Sequence, residues 1–498
     1  MAGLEVQASI SSVMARELAT SVGVCVRPVM RRVIDRQTDT EERVAIPCGS
    51  TLESQCPSCA KKARILRMQQ CAEGWHRTDE PPSEPAGDPA GESVDQAESD
   101  TGGITGERRV RSTRRRDDAA VLPRVPTENR TVGTVFTAPD GRTYQPSMFC
   151  TFTLPSYGSV AASGVPVDPA TYDYRRAALD ALHFSKLWDR FVQNLRRCAG
   201  YRVQYFAAVE SQARLAPHIH AAIRGAIPRE VLRQVIRATY EQVWWPAHDR
   251  PVFVDRLPVW DGEAYSDPET GETLPTWLEA VDQVETPAHV LRFGRQYDMR
   301  GIIAPSPEAD RAVRYLTKYL TKAISDPIAA DELHDHAREA HIDRLHAELR
   351  WLPCSPRCAN WLRYGVQPDQ AGPDLEPGEC RAKAHDREHL GLGGRRVLVS
   401  RQWSGKTLAG HRADRATVVR EALHAAGIIP PEVERLAAET LLADGHPRFV
   451  WTDSKTDPAT YVQVILESIA ERQRWRTQYE QAKQATRNYS ATEDAQPP

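Results

Sequence analysis

The sequence predicts an α+β fold, and three observations carry the prediction. Residues 201–210 and 217–224 are two runs of β-forming residues separated by a loop of about six residues, the pattern of a hairpin. Residues 174–197 place Leu179, Leu182, Leu187, Phe191 and Leu195 near helical spacing, and residues 310–323 do the same with Val313, Leu316 and Leu320. Two groups of closely spaced cysteines lie outside these elements, at spacings that suit tetrahedral zinc. The expected architecture is strands paired antiparallel with helices beside them, zinc-binding modules and a C-terminal helical region.

The bulk properties narrow the function classes. A chain of 498 residues is too long for one ordinary core, and two to four units are expected at about 100–200 residues each. The apolar share (41%) and the charged share (26%) are those of a soluble globular protein. A net charge of −3 excludes a molecule that is basic throughout, so nucleic-acid contact must come from local patches. No run of about 18 apolar residues is present, which excludes a helical membrane span. No basic stretch followed by an apolar one marks a secretory leader. A cytoplasmic location is expected, where the ten cysteines are thiols or metal ligands rather than disulfides.

Residues 1–78 form a first region. Residues 22–34 alternate apolar and basic side chains without declaring strand or helix. Cys48, Cys56, Cys59 and Cys71 follow, and Cys56-Pro57-Ser58-Cys59 is the turn that presents two thiolates to one metal. The set is either a structural zinc module or a group of buried thiols. Residues 60–70 read as the helix after this turn. Residues 79–130 read as a disordered linker, because 79–106 carry Pro, Glu, Asp, Gly and Ser and almost no large apolar side chain. A basic run at Arg108, Arg109, Arg111, Arg114, Arg115 and Arg116 follows, either solvated or in contact with phosphates.

Residues 131–330 form the candidate catalytic domain. Residues 147–154, β-branched and aromatic between two prolines, read as a buried strand. The 174–197 helix and the hairpin come next. Pro228 starts a helix expected to reach about Trp245. Residues 246–288 are rich in Pro, Asp and Gly, and 289–297 read as a short strand. Residues 331–410 hold a charged helix (331–351) and a second cysteine module. His334 and His336 diverge by about 200° on that helix, so they do not share a metal, and its histidines read as surface residues. Cys354, Cys358, Cys380 and His385, with His389 as a substitute, fit a second structural zinc. Arg395, Arg396, Arg401 and Lys406, interleaved with Trp361, Tyr364 and Trp403, suit a nucleic-acid surface. Residues 403–407 resemble the end of a phosphate-binding loop, but position 400 is serine where glycine is required, which excludes ATP there. Helices broken at Pro430-Pro431 and Pro447 are expected over 411–484, and a disordered tail over 485–498.

The chemistry centres on His218-Ile219-His220. On a strand the two imidazoles share a face and Ile219 turns to the core. They are either paired ligands for one metal or ordinary edge-strand histidines. If the hairpin pairs antiparallel, Glu210 falls opposite or near His218, with cross-strand partners about 4.5–5.5 Å apart. Two histidines and a carboxylate with open positions suit Mg²⁺ or Mn²⁺ completed by a phosphate. A register slip of one residue would turn Glu210 to the other face. On the helix at 310–323, Tyr315 and Tyr319 are one turn apart, with Lys318 and Lys322 in a row beside them. Tyrosine suits a reaction that must keep a covalent intermediate. Its ordinary pKa near 10 makes it a weak nucleophile, and a nearby ammonium favours the phenolate. Two tyrosines would permit two successive transesterifications.

Pro217-His218-Ile219-His220 together with Tyr315-Leu316-Thr317-Lys318-Tyr319-Leu320-Thr321-Lys322 resembles the HUH endonucleases, in particular the two-tyrosine rolling-circle replication initiators. Residues 149–154 look like their first strand motif. Tyr205 to Glu210, Arg214 to His218, and Cys354 to Gly365 look like the replication initiators of actinobacterial plasmids and integrative elements. The similarity covers roughly residues 45–75 and 145–425. It implies a central antiparallel sheet with flanking helices and a divalent metal. It also implies nicking of one origin strand through a 5′-phosphotyrosine, a free 3′-hydroxyl for host polymerase, and later rejoining. Single-stranded or origin DNA, with a host helicase and polymerase, would be the partners. One departure is that residues 155–202, where such proteins often carry further cysteines, hold only Cys198. A mobilisation relaxase or a transposase shares the chemistry, but relaxases commonly carry the tyrosine before the histidines. A non-catalytic zinc-containing DNA-binding regulator would explain the cysteines and leave the histidine pair and the tyrosine–lysine rows without a role.

Overall fold

Capping and apolar spacing decide where the main elements begin and end. A computed structural model of the chain describes residues 11–75, 77, 79–80, 115–318, 320–322, 332–393, 396–425, 441–454 and 458–493. In chain order the helices are α1 (Ser12–Val22), α2 (Pro57–Trp75), α3 (Tyr174–Ala199), α4 (Arg229–Ala238), α5 (Trp277–Asp282), α6 (Pro307–Lys318), α7 (Glu332–Trp351), α8 (Leu408–Ala425) and α9 (Pro458–Glu493). The strands are β1 (Val29–Asp35), β2 (Thr40–Ile46), β3 (Phe136–Thr137), β4 (Thr143–Thr153), β5 (Tyr205–Ser211), β6 (Pro217–Arg224), β7 (Tyr240–Val243), β8 (Val259–Trp260), β9 (Tyr265–Ser266), β10 (His289–Arg292), β11 (Tyr297–Ala304), β12 (Val397–Val399) and β13 (Phe449–Asp453). The Asp173 carboxylate accepts the Arg176 N–H to start α3, and Gly200, in the left-handed region at φ 74°, stops it.

The chain divides into two compact units, residues 71–407 and residues 1–70 with 408–498. The first and last regions set apart in the sequence therefore share one unit. In the 71–407 unit an antiparallel sheet runs β11-β4-β6-β5-β12, with β3 paired to β4. Alternation sorts its side chains. Met148, Cys150 and Phe152 of β4 join Val209 of β5 and Ile219, Ala221 and Ile223 of β6 beneath α3, where Leu187, Trp188, Phe191 and Leu195 are buried. The Phe152 and Phe191 rings stand 4.8 Å apart. Each fully buried side chain of this size contributes about 1.5–3 kcal/mol, so this interface is the main stabilising layer of the unit. The other face carries Phe149 and Thr151 of β4, His218 and His220 of β6, and Glu210 of β5. α6 lies on that face.

In the other unit, β13-β1-β2 form an antiparallel sheet. α1 packs on α9, burying Ala15, Ala19, Ile465 and Ile469. Among the described residues no helix is long and apolar enough to cross a membrane.

Several features differ from the sequence-based expectation. Residues 449–453, expected among helices, form β13, and α9 runs to Glu493 through part of the expected disordered tail. Part of the expected disordered linker is ordered, since Val125 and Glu128 donate their N–H groups to the Arg197 and Gly200 carbonyls. The helix begun at Pro228 stops at Ala238. Thr239 turns its hydroxyl back to the Val235 carbonyl, and residues 240–243 leave to pair with β10. β11 extends over 297–304 as an edge strand, and its partly exposed side chains give little alternation to read. His341 of α7 is fully buried, 2.8 Å from the Tyr174 hydroxyl, and not a surface residue. Tyr319, Arg395, the basic run at 108–114 and the prolines at 430–431 lie outside the described residues.

Candidate metal and tyrosine site

The hairpin register settles which side chains meet. Gln212 donates its backbone N–H to the Ala216 carbonyl and closes the loop between β5 and β6. The strands then pair Glu210 with His218 and Ala208 with His220. Glu210, His218 and His220 therefore share one face. The two Nε2 atoms face each other at 2.9 Å, and the Glu210 Oε2 lies 3.8 Å from each. Thr151, the β4 partner of His220, places its hydroxyl 2.8 Å from His220 Nδ1. With that hydroxyl accepting, Nδ1 carries the proton and the Nε2 lone pair points inward.

Burial sets the charges. It pushes His218 down to about 3 and His220 to about 4, so both imidazoles are neutral at physiological pH. It pushes Glu210 up to about 7, against the pull of the Arg396 guanidinium and the Lys318 ammonium. Glu210 Oε1 and His218 Nδ1 are buried without a hydrogen-bond partner. Neutral imidazoles beside an orphaned carboxylate oxygen fit a divalent cation. For bonds of about 2.05 Å, neighbouring ligand atoms stand about 2.9 Å apart in an octahedron and about 3.3 Å in a tetrahedron. The Nε2 separation is close to the octahedral edge, while Glu210 Oε2, 3.8 Å from each nitrogen, stands farther off than either geometry sets.

α6 brings the tyrosine. Val313 and Leu316 are buried, while Tyr315 is 44% exposed. The Tyr315 hydroxyl lies 3.5 Å from His220 Nε2. Phe149 stacks on the His220 ring at 6.0 Å and meets the Tyr315 ring edge-on at 6.0 Å, fixing the phenol beside the imidazole. Lys318 is exposed on the next turn, close enough for its charge to act on Glu210. Lys322 is exposed beyond the helix.

Both cysteine modules gather, one with a changed member. Cys25, Cys48, Cys56 and Cys59 place their sulfurs within 4.8 Å of one another. Cys71, expected in that set, lies twelve residues beyond Cys59 on α2, about 18 Å along the axis. It is fully buried there, and its carbonyl accepts from Trp403 Nε1. Cys25 takes its place because β1 starts just after it. Its sulfur accepts the N–H groups of Arg27 and Cys48 at 3.4 and 3.3 Å. Cys354, Cys358, Cys380 and His385 form the second set as expected, without His389. Tetrahedral zinc with bonds of about 2.3 Å to sulfur sets neighbouring sulfurs about 3.8 Å apart. Cys25 and Cys56 stand at 3.8 Å, and Cys354 and Cys380 at 3.9 Å. His385 Nε2 is 3.6 Å from Cys358 Sγ, and its Nδ1 donates to the Leu349 carbonyl at 2.7 Å, the outer bond that orients a ligating imidazole.

The expected nucleic-acid surface after this module is not formed as read. Arg396 is buried, and its guanidinium donates to the carbonyls of Val209 and Lys322. Trp361 and Trp403 are fully buried and Tyr364 nearly so; these aromatics are core. Arg401 is exposed, and Lys406 lies 3.8 Å from Glu73. Sequence reasoning missed Cys25 and Thr151. Only the position of Thr151 in the strand facing the histidines could have signalled it.

Comparison with known proteins gives two matches and one absence. Residues 12–471 match the family RepSA, described as "Replication initiator protein, pSAM2". A replication initiator protein of Streptomyces ambofaciens is 29% identical over 260 residues, covering 43% of this chain and 52% of that protein. The chain thus spans about half the length of that relative. No solved structure matches.

Proposed function

Because the chain belongs to the RepSA family of replication initiator proteins, we propose that it nicks and rejoins one strand of origin DNA by metal-assisted tyrosine transesterification, as HUH endonucleases do. One observation carries the reading: the Tyr315 hydroxyl stands 3.5 Å from an imidazole whose Nε2 faces a second imidazole at 2.9 Å. A phenol beside a candidate metal site on an open face is the arrangement that attack on a phosphodiester needs.

The Tyr315 oxygen attacks phosphorus as its proton leaves. A bond forms from that oxygen to phosphorus, the bond from phosphorus to the 3′-oxygen breaks, and the 3′-oxygen takes up a proton. The 5′ end stays on the tyrosine, and the 3′-hydroxyl is free for a host polymerase. Attack by a 3′-hydroxyl on the phosphotyrosine reverses the step and rejoins the strand. Lys318, three residues on, favours the phenolate. Glu210, His218 and His220 would hold Mg²⁺ or Mn²⁺, which when bound supplies Lewis-acid polarisation of the phosphate oxygens. Tyr319 is the candidate second nucleophile. Arg396 acts as a positioning residue, tying the chain after α6 to β5. Zinc at the two cysteine sites completes the reading, with a host helicase and polymerase as partners.

The test is covalent capture. Purified protein, Mn²⁺ and single-stranded origin DNA should yield a protein–DNA adduct resistant to denaturation. Tyr315→Phe should lose or relocate it, and the Tyr315→Phe/Tyr319→Phe double variant should abolish it. Adduct persisting in the double variant removes the tyrosines from the mechanism.

A further inference from the structure

We propose that the exposed face of α6 is a phosphate track, in which Arg311 and Arg314 bind the single strand on one side of the reacting phosphate. The proposal rests on the reading above and names how that site holds its substrate.

At about 100° per residue, Ala309, Val313, Leu316 and Thr317 fall on one side of α6. All four are buried. Arg311, Arg314, Tyr315 and Lys318 fall within an arc of about 100° on the opposite side, and all four are exposed. The nucleophile therefore sits inside a row of three cations. The helix's acids, Glu308 and Asp310, stand in its first turn, where the helix N-terminus favours them.

Several other arginines of the unit are held by carboxylates. Arg116 and Arg292 bind Asp118, Arg190 binds Glu241, and Arg387 binds Glu339 and Asp343. Arg300, opposite Phe149 on β11, is likewise paired, with Asp298 at 2.8 Å. Among the described residues no ion pair engages Arg311 or Arg314. Two exposed guanidinium groups without a carboxylate partner, one beside the tyrosine and one a turn before it, are open to an external anion. Arg311 and Lys318 are about 10 Å apart along the axis. That length spans more than one phosphate, since the charges of a strand are spaced about 3.4 Å apart even when it is stacked. Guanidinium groups suit phosphate oxygens because their N–H donors bind two at once. The three cations place the strand along the exposed face of α6.

The test reads the salt dependence of binding. The full chain is titrated with fluorescent oligodeoxythymidine in the absence of metal over a range of salt concentrations. Each phosphate contact on a single strand contributes about 0.7 to the slope of log K against log salt. Arg311→Gln/Arg314→Gln should reduce that slope by about 1.4, while its Mn²⁺ affinity and circular dichroism match the wild type. Arg311→Lys/Arg314→Lys should keep the wild-type slope, because each charge is retained. An unchanged slope in the Gln variant overturns the track. A reduced slope together with lost Mn²⁺ affinity also overturns it, since the variant has then disturbed the site. If wild-type protein forms no tyrosine adduct while the slope still falls, the track stands and the strand-transfer reading falls. Adduct formation with an unchanged slope is the reverse.

Discussion

Thr151→Val separates a candidate metal ligand from the group that orients it. The Thr151 hydroxyl lies 2.8 Å from His220 Nδ1, and His220 is 5% exposed. Valine keeps the shape and suits a strand, so no cavity opens. What goes is the acceptor. A buried N–H left without a partner costs about 1–3 kcal/mol. The imidazole avoids part of that by moving its proton to Nε2, the atom that must be free to bind metal. Loss of such an outer hydrogen bond typically lowers metal affinity about 10–100-fold, or about 1.4–2.8 kcal/mol. Calorimetric titration with Mn²⁺ should show that drop in Thr151→Val. Thr151→Ser, which keeps the hydroxyl, should bind within a few-fold of wild type. Adduct formation by Thr151→Val should fall at limiting Mn²⁺ and recover when Mn²⁺ is raised. Equal Mn²⁺ affinity in the Val variant and the wild type would falsify the second-partner role of Thr151.

The remaining predictions concern the zinc sites and acid stability. Metal analysis should find about two zincs per chain; Cys25→Ala should lose one while Cys71→Ala keeps both, and the opposite result would restore Cys71 as the ligand. Cys380→Ser should lose the other zinc and lower the melting temperature of the 71–407 unit, and a full complement of zinc in that variant would refute the site. Burial first, then the charges of His289, His248 and Lys186, push His183 down to about 3. The unfolded chain takes up that proton near 6.5, so it binds more protons than the native state between about 3 and 6.5. This contribution is complete above 6.5 and is lost as pH falls towards 3, by an amount on the order of several kcal/mol. His183→Leu should flatten the fall in melting temperature between pH 6.5 and 4, and an unchanged slope would show that His183 is not responsible.

The hairpin and the shared face of its two histidines are legible in the sequence because alternation has a period of two. His218 and His220 share a face in any strand, and a short loop leaves few registers. The face of Glu210 is not legible, since it turns on which residues close the loop, and that is settled by the Gln212–Ala216 hydrogen bond. The second cysteine module is legible because its ligands fall in two close pairs, Cys354 with Cys358 and Cys380 with His385. The first is legible only in part: Cys25 joins through the β1–β2 turn-back, which no local spacing announces. Arg396, Trp361 and Trp403 mislead for a common reason. Arginine and tryptophan serve equally as surface and as core residues, and burial is decided by partners such as the Lys322 carbonyl that composition does not reveal. Arg311 and Arg314 are less legible, because they stand three residues apart and not in the four-residue rows of the tyrosines and lysines.

The pairing of β1 with β13 has a consequence for the order in which the chain can be made. Val33 lies opposite Trp451, and a ribosome adding about 5–20 residues per second needs roughly 20–80 s to pass from one strand to the other. For that interval one edge of β1 has no neighbour, and an unpaired edge invites other chains. The four sulfurs of the first cysteine set all lie between residues 25 and 59. They are complete within a few seconds of β1 at the same rate. A zinc ion captured then would tether β1, β2 and the start of α2 long before the closing strand is synthesised, so metal supply during translation would bear on how much of the protein survives to fold.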